Sequence, residues 1–114
     1  MKAFATRAQG LERLDAVVLN AGILTTQFKL VEGEESSIAV NVVHNTLLAL
    51  LLLPKLREST KKTGLRGRIA FVGSDLQYIA KFAEGRTPGN TFDVLRIEEK
   101  ADMDDRYVSS FVKI

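Results

Sequence analysis

The sequence LDAVVLNAG, residues 14–22, is a short apolar run that ends in a polar turn containing glycine. It does not alternate apolar and polar residues, which is typical of a strand buried on both faces of a parallel sheet. A second run of this kind, RIAFVG at residues 68–73, ends at Ser74. The apolar stretch of residues 38–53 between them is too long for a strand and predicts a crossover helix. This order predicts a βαβ unit of the α/β class, with parallel strands and a right-handed crossover.

The flanking segments are interpreted from helix and turn signals. Residues 2–13 are expected to form a helix and a turn. Residues 34–37, Glu-Glu-Ser-Ser, are expected to form the first turn of the crossover helix, where acidic side chains favour the helix dipole. This helix is expected to run through Pro54 towards Thr60. The remaining expectations are loops at residues 23–33 and 75–90 and a weakly amphipathic helix at residues 91–107.

Composition and charge exclude several classes of function. The chain has 114 residues and a net charge of +2, and 46% of its residues are hydrophobic, as in ordinary globular domains. It contains no cysteine, which excludes disulfides, zinc–thiolate sites and thiol nucleophiles. A basic cluster at residues 55–68 is interrupted by Glu58 and has no aromatic residues nearby, so we predict no nucleic-acid binding.

A cytoplasmic location without a membrane span is expected from the apolar segments. The N-terminal ten residues lack the apolar core of a secretory signal peptide. The run Ile38–Leu53 is interrupted by Asn41, His44 and Asn45 and is shorter than the ~20 residues of a spanning helix. We therefore interpret it as a buried helix, with His44 as a packing or surface residue, and we predict no metal site.

Three segments in this order resemble the middle of the short-chain dehydrogenase/reductase family. They are residues 14–23, residues 40–43 leading into the leucine-rich helix with Pro54-Lys55-Leu56, and residues 67–74. The long spacing between Ser74 and Tyr107 resembles the serine-to-tyrosine spacing in the retinol-dehydrogenase-like branch of the family, which is common in fungi. The resemblance implies a Rossmann fold, NADP or NAD as cofactor, and hydride transfer to or from a carbonyl or alcohol substrate.

The resemblance also implies roles for individual residues. Asn41 would distort its helix locally and hold a water of the proton relay, Ser74 would hydrogen-bond the substrate oxygen, and Tyr107 would be the general acid or base. Without the resemblance, Asn41 is interpreted as a core amide, Ser74 as a turn or cap serine, and residues 20–22 as a tight turn with Asn20 as a cap. The positions that match cofactor-binding residues of the family are Asn20, Ala21 and Gly22.

The sequence departs from the family pattern in two places. The fourth residue after Tyr107 is Phe111, where the family has a lysine, and Lys113 lies two positions too far along. No glycine-rich phosphate-binding turn is present, because Gly10, Gly22 and Gly33 are isolated. We therefore expect residues 1–114 to be one incomplete Rossmann-type domain, the middle of a larger enzyme, with impaired activity or none. The alternative is a non-catalytic remnant that joins a second copy or another subunit through the Ile38–Leu53 helix.

Overall fold

The computed structural model describes residues 1–103, without the side chains of Leu76 and Gln77. These residues form two compact units, one from residues 1–20 and 44–72 and one from residues 21–43 and 73 onwards. The elements in chain order are α1 (Lys2–Gln9), β1 (Ala16–Leu19), β2 (Leu30–Val31), β3 (Glu34–Glu35), a π-helical segment (Ile38–His44), α2 (Asn45–Thr63), β4 (Arg68–Phe71) and α3 (Thr91–Leu95), with 3₁₀ turns at Asp75–Tyr78, Ala83–Arg86 and Glu98–Lys100.

The first unit contains the predicted pair of parallel strands. Strand β1 pairs with β4 in a register that runs from Ala16 opposite Arg68 to Leu19 opposite Phe71. Helix α2 packs against both strands and against α1, and its side chain Leu52 is among the most deeply buried of the core. Together with the long helix, these parallel strands confirm the expected α/β class and the partial Rossmann-type arrangement.

The exposure of the two strands differs from the expectation. Val18 in β1 is 66% exposed and Phe71 in β4 is 40% exposed, whereas Leu19 is buried. The prediction that both strands are buried on both faces is therefore wrong for the described residues. The physical reason is that a parallel sheet is covered by elements on both faces, and this sheet has two strands in the described part of the chain.

Helix α2 extends further than expected and ends at Thr63. The backbone leaves the helix through Gly64, whose φ of 72° lies in the left-handed region that glycine adopts without steric cost. Its N–H donates to the carbonyl of Thr60 at 2.9 Å. Pro54 lies inside the helix, as the sequence predicted.

One helical stretch of the described residues, Ile38–Thr63, is long and apolar enough to cross a membrane by length and composition. Core helices of globular proteins meet the same criterion. Here the buried residues include Lys55, which pairs with Glu58, and Ser59, whose Oγ accepts from the N–H of Leu14 at 2.7 Å. Buried polar groups paired within the protein favour a core helix, and the absence of a membrane span stays a prediction.

The second unit contains a hairpin that the sequence did not predict. Strands β2 and β3 are antiparallel, and Val31 lies opposite Glu34. The two connecting residues, Glu32 and Gly33, have φ values of 54° and 85°, as in the two-residue turns that join tight hairpins. Glu34 and Glu35 are therefore strand residues, and the expectation of a helical turn is wrong for them, whereas Ser36 and Ser37 are helical as expected.

The predicted helix at residues 91–107 is also wrong in its length. Helix α3 spans Thr91–Leu95, where the side chain of Asn90 accepts from the N–H of Phe92 and so caps the first turn. A 3₁₀ turn follows at Glu98–Lys100. The part of the expected helix beyond residue 103 lies outside the described residues.

Candidate functional site

The predicted cofactor-binding residues lie directly after the end of β1 in the chain. Asn20 comes immediately after Leu19, and Asn20, Ala21 and Gly22 are all exposed. The carboxyl ends of parallel strands are where α/β folds bind ligands. Ala21 and Gly22 carry at most a methyl group, so a flat ligand can approach their backbone closely. Their role in binding stays a prediction.

Ser74 lies three residues after the end of β4. It is half-buried, and its Oγ donates to Oδ1 of Asp75 at 3.3 Å. Because β4 is parallel to β1, the chain leaves both strands at the same edge of the sheet. Ser74 thus follows the carboxyl end of β4, where ligands bind in this fold class, and its hydrogen bond to a substrate oxygen stays a prediction.

Asn41 is the best-defined polar group among the predicted site residues. It is 1% exposed, and its Oδ1 accepts from the N–H of Ile23 at 2.8 Å. Its Nδ2 donates to the carbonyl of the same residue at 3.0 Å. The side chain therefore binds both backbone groups of the residue that follows Gly22, which fixes this loop by two hydrogen bonds.

The helix around Asn41 has an unusual geometry. Residues Ile38–His44 are π-helical, a conformation that is rare and is often found at functional sites. The resemblance implied a local distortion of the helix at Asn41, and the structure has one there. The water-holding role of Asn41 remains a prediction.

Glu35 is a buried group that the sequence interpretation missed. Its side chain has an exposed fraction of 0%. Oε1 accepts from Oγ of Ser36 at 2.9 Å and from the N–H of Ser37 at 3.0 Å. Oε2 accepts from the N–H of Ile38 at 3.3 Å. The pattern of an acid followed by two serines just before an apolar run indicated a helix start, but not that the acid lies in a strand.

The other candidates give less information. Tyr107, with Phe111 and Lys113 after it, lies outside the described residues. His44 is half-buried at the end of the π-helical segment. Among residues 1–103, no group of three His, Cys, Asp or Glu side chains is arranged to hold a metal ion.

Comparison with known proteins finds similar short-chain dehydrogenases in fungi. The short chain dehydrogenase FGM9 of Gibberella zeae is 42% identical over 110 residues, which are 96% of this chain and 32% of that protein. The short-chain dehydrogenase anuD of Penicillium roqueforti is 44% identical over 112 residues, 97% of this chain and 29% of that protein. Over nearly its whole length, the chain is similar to members of the short-chain dehydrogenase/reductase family.

A third relative, the short chain dehydrogenase atnD of Emericella nidulans, is 41% identical over 112 residues, which are 96% of this chain and 35% of that protein. The chain thus spans about a third of the length of these short-chain dehydrogenases. No protein-family profile matches it, and no solved structure matches it. The resemblance to this family is confirmed, whereas the branch within the family and the roles of single residues stay predictions.

The described residues offer only some of the features that an NAD(P) site requires. Ala21 and Gly22 form an exposed, small-residue segment after β1, and Asn41 holds the next residue, Ile23, in place. The glycine-rich turn with which short-chain dehydrogenases receive the cofactor's phosphates is not among the 114 residues. These residues therefore suit one wall of the predicted cofactor site, and the sequence contains no match to its phosphate-binding turn.

Proposed function

We propose that this chain carries the central part of an NADP- or NAD-dependent oxidoreductase that acts on a carbonyl or alcohol substrate in the cytoplasm. The observation that carries the proposal is the position of these residues along the chain: Asn20–Gly22 come directly after β1, and Ser74 comes three residues after β4, its parallel partner. The similarity to short-chain dehydrogenases supports the same reaction class.

In the proposed reaction, the residues of this chain act on the substrate oxygen. When bound, NAD(P)H supplies the hydride that the carbonyl carbon accepts. Ser74 donates a hydrogen bond from Oγ to the carbonyl oxygen, and this bond strengthens as negative charge develops there. Tyr107 gives its phenolic proton to the same oxygen, so that the product is an alcohol. In the reverse direction, the phenolate takes this proton back.

Asn41 has a supporting part in the proposed reaction. With both of its amide atoms bound to Ile23, it holds the backbone that follows Gly22. As a buried polar group in a π-helical segment, it is also placed at a point where the α-helical hydrogen-bond pattern is interrupted. We propose that this interruption leaves room for the water through which the proton of Tyr107 is exchanged with solvent.

The proposal includes a low activity of the chain by itself. The unperturbed pKa of a tyrosine is about 10, too high for efficient base catalysis near neutral pH. In the family a lysine four residues later lowers it, and this chain has Phe111 at that position. We expect Phe111→Lys to raise whatever carbonyl reduction the chain shows, because a nearby ammonium lowers the pKa of a phenol.

The experiment is a titration of the purified chain with NADPH and NADH, followed by an assay of carbonyl reduction in the natural chain and in Phe111→Lys. Ser74→Ala in the more active of the two should lower kcat by about 10²-fold or more. Thr87→Ala removes an exposed hydroxyl outside the proposed site and serves as the control. Saturable binding with loss of turnover in Ser74→Ala alone supports the proposal; absence of binding to either nucleotide contradicts it.

A second candidate function is association with another copy or subunit. Leu50 is 59% exposed and Leu47 is 39% exposed on α2, so this helix presents apolar surface in the first unit. Such an association does not require the chain to catalyse a reaction.

A further inference from the structure

The hairpin of the second unit places two neighbouring glutamates in contrasting surroundings. Successive residues of a strand point to opposite sides, and Glu34 and Glu35 form β3. Glu34 makes a two-pronged ion pair with Arg96, whose Nε lies 3.1 Å from Oε2. Glu35 points the other way and is fully buried. The two side chains are thus matched in type and position but differ in what they touch.

The buried carboxylate of Glu35 stabilises the start of the helical segment that carries Asn41. The first N–H groups of a helix have no partner inside the helix. Two such groups, on Ser37 and Ile38, donate to Glu35 at 3.0 and 3.3 Å. A buried carboxylate is stable only when donors satisfy it, and the hydroxyl of Ser36 provides a third one at 2.9 Å. The charge also lies at the positive end of the helix dipole.

The hairpin fixes the position of this carboxylate. The ladder of β2 and β3 is extended by one hydrogen bond, from the N–H of Ser36 to the carbonyl of Lys29 at 2.8 Å. Glu35 therefore sits between a backbone held by the hairpin and the first turn of the π-helical segment. Asn41 is three residues after Ile38, within the same seven-residue segment.

We infer that Glu35 is a positioning residue for Asn41: its carboxylate holds the first turn at Ser37 and Ile38, and so keeps the Asn41 amide on Ile23. The backbone after the predicted cofactor-binding residue Gly22 is then fixed through a chain of hydrogen bonds that begins in the hairpin. The functional meaning of this inference rests on the proposed oxidoreductase function, but the hydrogen-bond chain does not.

The test measures hydrogen exchange of the Ile23 backbone amide, because its donor bond to Asn41 reports where that side chain is. Glu35→Ala removes every acceptor, and we expect the Ile23 amide to exchange about tenfold faster. Glu35→Gln keeps one acceptor oxygen, so its effect should be intermediate. Glu34→Gln is the matched control. It breaks the ion pair with Arg96 in the same strand, and exchange should stay within about twofold of the natural chain.

Two further measurements separate positioning from general loss of structure. The amide of Val72, bonded to the carbonyl of Leu19 at 3.1 Å in the first unit, should keep its exchange rate in the Glu35 variants. If Glu35→Ala also speeds the exchange of the Val72 amide, this variant has lost structure in general. The positioning role is then tested by comparing the Ile23 exchange of Glu35→Gln with that of Glu34→Gln. Asn41→Ala should itself release Ile23, and adding Glu35→Ala to it should have no further effect, because both act through one bond.

Equal Ile23 exchange in Glu35→Gln and Glu34→Gln, or additive effects of Glu35→Ala and Asn41→Ala, would overturn the inference. NADPH binding is measured on the same samples. Failure of binding with the expected exchange pattern contradicts the proposed function and leaves the positioning role supported. Binding without the exchange pattern contradicts the positioning role alone.

Discussion

Ser59 and Ser74 show how the same residue type has different consequences in different surroundings. Ser59 is buried in α2, and its Oγ accepts from the N–H of Leu14 at 2.7 Å. Ser74 is half-buried and follows β4. Ser59→Ala leaves a partly buried N–H without its acceptor and should lower the free energy of unfolding by about 1–3 kcal/mol. Ser74→Ala should change it by about 0.5 kcal/mol or less.

Urea unfolding of both variants, followed by circular dichroism, provides the measurement. A large loss of stability in Ser74→Ala would mean that this serine is structural, and the loss of turnover expected from the same substitution could then not be assigned to chemistry. Equal stability of Ser59→Ala and the natural chain would contradict the role of the Leu14 hydrogen bond.

At the scale of single residues, the sequence predicted which side chains require hydrogen bonds better than it predicted which groups supply those bonds. An asparagine among valines predicts a buried amide with hydrogen bonds, and Asn41 has them. That Ile23 supplies both could not be predicted, because its position depends on a loop without a periodic pattern. Glu35 was missed because Glu32 adopts a positive φ, which glutamate rarely does, and this turn makes residues 34 and 35 a strand.

At the scale of single elements, helix α2 carries a small charge network whose effect depends on pH. Glu58 accepts from Lys55 at 3.2 Å and pairs with Lys62 at 2.5 Å. The hydrogen bond from Lys62, and then that from Lys55, holds the pKa of Glu58 below its ordinary value of 4.5. Its stabilising contribution is therefore complete above the unfolded pKa and is lost as the pH falls through the lower folded value.

Glu58→Gln should flatten this acid dependence. Between about pH 5 and about pH 2, the urea midpoint of the variant should fall less steeply than that of the natural chain. Lys62→Gln removes the larger cause of the shift but keeps Lys55, so it should flatten the curve only in part. Near neutral pH, Glu58→Gln should be less stable than Lys62→Gln, because it leaves the buried ammonium of Lys55 facing a neutral amide. Parallel stability curves for all three chains would refute this role of Glu58.

The elements themselves could be predicted to different degrees. The two unalternating apolar runs correctly predicted β1 and β4 and their parallel pairing, because long-range pairing of such strands follows from the helix between them. The length of α3 could not be predicted from its weak periodicity, which suits a short helix followed by turns as well as a long helix. The expected site residue Tyr107 lies beyond the described residues.

At the scale of the whole molecule, the exposed leucines of α2 allow a direct test of association. If this helix joins two copies, sedimentation velocity should show a dimer or larger species at micromolar concentration. Leu50→Glu places a charge on the most exposed leucine of the helix and should shift the equilibrium to the monomer. Glu12→Gln, an exposed change on another part of the same unit, should leave it unchanged. A monomer at all concentrations, with or without Leu50→Glu, would exclude association through this surface.

The register of the parallel pair has a consequence for the order of events during folding. Ala16 meets Arg68, so the sheet closes only after the whole stretch between them, with its hairpin and long helix, has been brought together. Pairings between residues so distant in the chain slow folding, since the entropy of loop closure must be overcome before the contact contributes. We expect α2 to form early and the sheet to form late, so that the kinetics of refolding report the arrival of β4 beside β1.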